Sequence, residues 1–181
     1  MKLCVNQNYE TSLIKPQTTN YKLQNINHQY KMDTIDKKLL QLLQQDTKKT
    51  TKELSTKLNL SVTAVYERIK KLEREGIISK YVVLLDKEKV GKNFVVFCHL
   101  KLIQHTKEFL TKFESEVIKL KEVLECYHVS GDYDYILKIA VKNMEEYREF
   151  LVTKLTTLHH IGSTHSTFMI SEVKYSTIID L

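Results

Sequence analysis

The chain has 181 residues, enough for one large domain or two small ones, and its 28 Lys and Arg against 22 Asp and Glu give a formal net charge of +6. Three cysteines without paired spacing argue against a disulfide scaffold or a zinc knuckle and fit a reducing compartment. No apolar run approaches the length of a membrane span and no secretory h-region opens the chain, so a cytoplasmic protein is expected.

The basicity is unevenly placed. Residues 1–31 carry 4 cations and 1 anion, 32–80 carry 11 and 7, and 81–181 carry 13 and 14. A basic module joined to a neutral one predicts an anionic partner for the first and a different task for the second. Residues 1–31 are polar, rich in Asn, Gln and Thr, and hold the only proline, Pro16. They read as a disordered extension, whose Lys15, Lys22 and Lys31 could touch phosphates, or as a start set too early with Met32 as the true beginning.

From Asp33 the pattern becomes helical. Ile35, Leu39, Leu42 and Leu43 form a stripe, with Asp33 as N-cap and Asp36 three residues on. The polar break 46–50 leads into Thr50-Thr-Lys-Glu53, a capping box, and Leu54 and Leu58 give the second helix a buried side. Asn59 suits a left-handed turn, Leu60 plugs the core, and Ser61 caps a third helix that ends at Gly76. Val62, Val65, Ile69 and Leu72 are its predicted buried stripe; Thr63, Tyr66, Glu67, Arg68, Lys70, Lys71 and Arg74 occupy the other face. Three short helices with a tight last turn make a helix-turn-helix. Ile77-Ile78 and Tyr81–Leu85 read as a small wing and then a linker strand, and the charged run 87–92 as a hinge.

Beyond the hinge the period changes to two. Phe94, Val96, Cys98, Leu100 and Leu102 point one way, and Val95, Phe97, His99 and Lys101 the other. A helical stripe follows from Phe109 to Leu120. Strands are expected at 123–129 and 135–141, a second helix from Met144 to Leu158 capped by Asn143, and a last strand over 161–170. Residues 171–181 would add a final extended piece. Strand, helix, strand, strand, helix, strand is the ferredoxin-like βαββαβ order. Both helices then cover one sheet face, and the other, carrying Val95 and Phe97, invites a second subunit.

The run Leu60-Ser-Val-Thr-Ala-Val-Tyr-Glu-Arg-Ile-Lys-Lys-Leu-Glu-Arg-Glu-Gly-Ile-Ile78, followed by Glu125-Cys-Tyr-His-Val-Ser-Gly-Asp-Tyr-Asp-Tyr-Ile-Leu-Lys138, resembles the Lrp/AsnC family of leucine-responsive and asparagine-responsive transcription regulators. The likeness runs from about Met32 to Leu181. It implies an α+β chain with four parts. These are an extension (1–31), a winged helix-turn-helix DNA-binding domain (32–80), a linker strand and hinge (81–92), and a ferredoxin-like ligand-binding and oligomerisation domain (93–181). It also implies homodimers, often octamers, and regulation by a free amino acid bound between effector domains.

On this reading Thr51, Lys52, Ser61, Thr63, Ala64, Val65, Arg68, Lys71 and Lys80 are the candidate DNA contacts. Thr63 and Val65 would meet base edges and thymine methyls, Arg68 would read guanine or hold phosphate, and Lys52 and Lys80 would hold phosphates. Val65 has packing as an equal reading, because it also belongs to the core stripe. The loop Ser130, Gly131, Asp132, Tyr133, Asp134, with Thr164 and Ser166, is the candidate effector site. A zwitterion needs acceptors for its ammonium and donors for its carboxylate, and these residues supply both.

Enzymatic readings are weaker. Cys126 and His128 share a strand face, but no acid at matching spacing orients the histidine, and packing is the better account. The histidines have no metal-binding spacing and no glycine-rich phosphate loop occurs, so neither a metal nor a cofactor beyond the amino-acid effector is expected. The main expectation is a ligand-responsive, sequence-specific DNA-binding regulator. The alternatives are an architectural DNA-binding protein with little effector response and an enzyme with an attached DNA module.

Overall fold

The computed structural model describes residues 31–181; Cys4, Pro16 and all of the expected extension except Lys31 lie outside them. The described chain divides into two units. One runs from Lys92 to Phe168, and the other comprises the residues up to Gly91 together with Met169–Leu181.

The first unit holds three helices, α1 (Thr34–Gln45), α2 (Thr51–Leu58) and α3 (Val62–Arg74). Each begins at a side-chain cap. Asp33 accepts the Asp36 N–H at 2.7 Å, and the Asp36 carboxylate reaches back to the Asp33 N–H at 3.4 Å. The second box closes the same way, with the Thr50 N–H donating to Glu53 Oε2 at 2.6 Å. Ser61 Oγ accepts the Ala64 N–H at 3.1 Å. Asn59 ends α2 at φ 53°, in the left-handed region, which makes the turn into α3 tight enough for a helix-turn-helix. Leu39, Leu40, Leu43, Leu54, Val65 and Leu72 are buried together, with Leu58, Leu60 and Ile69 packed against them. Val62 departs from its predicted stripe and is 47% exposed; it opens α3, where the stripe runs past the core.

The expected wing and linker strand do not form a ladder. No residue from Gly76 to Asn93 lies in a strand, and Tyr81–Leu85 are all exposed. A strand needs a partner for its N–H and C=O groups, and among the described residues none is aligned with this stretch. Met169–Leu181, most of it expected as a final extended piece, likewise holds no strand. It lies with the helices, where the Ile179 N–H donates to Gln44 Oε1 at 2.7 Å.

The second unit runs β1 (Phe94–Leu102), α4 (Lys107–Val117), β2 (Val123–His128), β3 (Tyr135–Val141), α5 (Met144–Phe150) and β4 (Ile161–Phe168). The expected long second helix is shorter; past Phe150 it widens into a π-helical turn over Leu151–Leu155. The antiparallel sheet has the order β2-β3-β1-β4, the ferredoxin-like arrangement. Val96, Cys98, Leu100, Leu137 and Ile139 pack against Phe113 and Val117 of α4 and Tyr147 and Phe150 of α5, so both helices cover one face. On the other face the register sets Phe97 between Lys138 and Thr167, and His99 between Ile136 and His165. Val95, expected to be wet there, is 2% exposed. The exposed apolar area of β2 is instead at Leu124 and Tyr127. No helix among the described residues is long and apolar enough to cross a membrane.

Candidate DNA-binding and effector sites

The caps and core of the first unit fix which side chains α3 can present. Thr63, Tyr66, Lys70 and Lys71 are exposed, as are Ser61 just ahead of the helix and Lys52 on α2. Thr51 and Ala64 are half-buried, and Lys80 is exposed past the helix end. Two candidates behave differently. Val65 is fully buried and cannot reach a base. Arg68 is turned inward: Nη1 lies 2.6 Å from Asp36 Oδ1 and 2.7 Å from Asp33 Oδ2. The Asp36 N–H and then the Arg68 guanidinium hold the Asp33 carboxyl below its usual range. The pair ties α3 to the first turn of α1, so Arg68, expected at a guanine or a phosphate, braces the helical unit through Nη1.

The effector candidates fall on opposite sides of the sheet. Ser166 pairs across from Cys98 on the helix-covered face, and its Oγ lies 2.5 Å from the Tyr147 hydroxyl. Thr164, opposite Leu100, shares that face. Tyr133 lies over the open face, with its ring 5.0 Å from His99 and 6.1 Å from His165, and the Lys101 ammonium 5.7 Å above it. A two-residue period allowed Thr164 and Ser166 to face either way, and the register decided it. Asp134 is a brace too. Its Oδ2 accepts the Leu102 N–H at 2.7 Å and its Oδ1 meets His105 Nε2 at 2.8 Å. Burial opposes ionisation of this carboxyl, but those two partners outweigh it and keep it below its usual value. Ser130, Gly131 and Asp132 remain exposed at the tip, with Gly131 at φ 121°, a conformation that side chains rarely adopt.

The Cys126–His128 pair shows no activated thiol. Burial, with the Glu114 carboxylate adding to it, pushes the Cys126 thiol up to about 12, and His128 stacks on Tyr135 at 4.6 Å. Among the described residues no three His, Cys, Asp or Glu side chains converge to hold a metal.

Comparison with known proteins bears directly on these two units. A winged helix-turn-helix DNA-binding profile matches residues 32–79, and the Lrp/AsnC ligand binding domain profile matches 95–179. The chain is 38% identical over 151 residues to the glutamate uptake regulatory protein of Zymomonas mobilis, covering 83% of this chain and 92% of that one. It belongs to the Lrp/AsnC family. The DNA-binding transcriptional activator DecR of Escherichia coli is 34% identical, over 83% of this chain and 99% of its own. Among solved structures, a transcriptional regulator from Neisseria meningitidis in complex with L-Met superposes with a TM-score of 0.78 at 31% identity, covering 83% of this chain and 96% of that one.

This Lrp/AsnC chain is therefore a DNA-binding transcription regulator with a ligand-binding domain. Its ligand-binding match continues through Ile179, into the segment that lies with the helices. Sequence reasoning passed over His99, Lys101 and His165. Alternation put His99 and Lys101 on the open face, but their convergence with His165 and Tyr133 depends on strand pairing that periodicity does not encode.

Proposed function

We propose that this protein binds operator DNA as a homodimer through the exposed face of α3 and adjusts that binding to a free amino acid. The single observation that carries the reading is the division of α3 itself. Val65 and Leu72 lock one side into the core, while Thr63, Tyr66, Lys70 and Lys71 stand in solvent on the other. A helix held this way presents hydrogen-bonding groups at its first turn and cations along its length, as a major-groove reader requires. Ser61, Thr63 and Ala64 face base edges; Thr51, Lys52, Lys71 and Lys80 hold the backbone. One such helix spans few base pairs, so selectivity calls for two, about one helical turn apart or a multiple of it.

Support for an amino-acid effector comes from the family's ligand-binding domain and from the relative solved with L-Met. The tip residues Ser130, Gly131, Asp132 and Tyr133 form the effector contact, held in place by Asp134. The open sheet face joins two copies, and higher assemblies such as octamers build from the dimer. The protein acts in the cytoplasm, beside its DNA.

The test is a gel-shift and sizing series on the purified chain at stated salt, with each of the twenty amino acids in turn. At least one amino acid is expected to change DNA affinity or particle size severalfold. Binding that none of them alters would favour the architectural role, and a monomer without affinity for duplex DNA at low salt would overturn the reading.

A further inference from the structure

The segment after β4 has an unusual arrangement. Ile170 and Val173 are bare, 101% and 95% exposed, yet the segment is attached to the helical unit at two points. At the first, the Lys87 ammonium contacts both Glu172 oxygens, at 2.7 and 2.9 Å, and lies 4.6 Å from the centre of the Tyr175 ring. At the second, Gln44 on α1 holds both backbone groups of one residue, Ile179. Its Oε1 accepts the Ile179 N–H at 2.7 Å and its Nε2 donates to the Ile179 carbonyl at 3.0 Å. Gln41 adds a 3.4 Å bond to Asp180. Thr177, Ile179 and Leu181 also line a cavity of about 570 Å³ with Leu40, Leu43 and Ile77.

These attachments are specific but shallow. The ion pair is part-exposed and open to salt, the amide bonds compete with water, and Ile179 remains 68% exposed. Contacts of that kind open locally without unfolding the cores they rest on. The same segment leaves β4 directly, two residues past Thr167 on the open face. The only other covalent path from the helices to the sheet is the stretch 75–93, which lies in no strand or helix.

We infer that residues 172–181 are a releasable strap. Docked, they tether the DNA-binding unit to β4 a second time and restrain it; released, they leave that unit on the 75–93 stretch alone. Two tethers narrow the orientations that a unit samples, so strap release alters the cost of seating α3 in a groove. The effect on DNA affinity rests on the DNA-binding role proposed above; docking itself does not.

Hydrogen exchange on the full chain, read at residues 40–45 and 77–84, tests docking without DNA. It is run beside a chain shortened after Ser171 and the single variant Gln44→Ala, which keeps a good helix former. Shortening is expected to speed exchange there about fivefold or more, Gln44→Ala to do so partly, and both to leave β1 and β3 unchanged. Raising salt should move the intact chain toward the shortened one. In a shift assay on one fixed duplex, the shortened chain should differ from the full chain at least threefold in affinity. Exchange equal to the full chain's in both variants overturns the strap. Faster exchange with equal affinity overturns its influence on DNA binding. If the shortened chain fails to fold, Gln44→Ala decides. If the full chain binds no duplex, the DNA-binding role fails and the exchange contrast still judges the strap.

Discussion

Arg68 on α3 places one guanidinium nitrogen 2.6 Å from the buried carboxylate of Asp36 on α1. The Asp36 side chain is 4% exposed and that of Arg68 29%. A buried carboxylate that loses its cation is costly, and an arginine whose Nη1 is anchored by two carboxylates is held toward α1. Arg68→Ala should therefore destabilise the helical unit by about 2–4 kcal/mol, somewhat less than a fully buried pair because Arg68 is part-exposed. Its operator preference should match wild type. Thermal unfolding and a binding-site selection read the two effects separately; a relaxed preference with unchanged stability would restore Arg68 as a base contact.

The same brace sets a pH dependence. The Asp33 carboxyl titrates below its ordinary value in the folded chain, first through the Asp36 N–H and then through Arg68. A depressed carboxyl contributes stability above its unfolded pKa, and that contribution fades as pH falls through the folded one. The helical unit should lose stability below about pH 4, where the unfolded carboxyl titrates. In Arg68→Ala this acid-side loss should shrink. Denaturant midpoints measured at a series of pH values would expose identical slopes in both proteins if the brace plays no part.

Positioning and reading should separate on the DNA-binding face. Lys52→Ala is expected to weaken binding to all duplexes alike and to reduce the slope of log affinity against log salt by about 1. Thr63→Ala should cost about 1–3 kcal/mol on the preferred operator and little on a scrambled duplex. Titrations at several salt concentrations on both duplexes suffice. A uniform loss for Thr63→Ala would remove it from the base contacts.

Ser166 offers a check on the effector site. Its Oγ satisfies a Tyr147 hydroxyl that belongs to a 2% exposed residue. Ser166→Ala should cost about 1–3 kcal/mol in the stability of the second unit, because it leaves that hydroxyl without its oxygen partner. The double variant with Tyr147→Phe should recover part of the loss, and effector response should persist in each. A response abolished by Ser166→Ala in a fully stable protein would return Ser166 to the ligand.

The parts of this protein legible in the sequence are those governed by neighbours along the chain. Asp33, Thr50 and Ser61 were readable as caps because a cap and its N–H lie three residues apart, and Asn59 as a left-handed turn because few residues tolerate one. Alternation from Phe94 to Leu102 gave the inner face of β1, and the order of periods gave the βαββαβ plan. What the sequence left open was pairing at a distance. Arg68 has the composition of a DNA contact, and only the packing of α3 beside α1, 32 residues away, turns it onto Asp36. Thr164 and Ser166 needed the β1–β4 register to choose a face, and residues 172–181 needed α1 in place before Gln44 could hold Ile179. Local periods report which residues face a core, whereas the partner met by a polar side chain is set by contacts that close long loops, and no spacing along the chain records those.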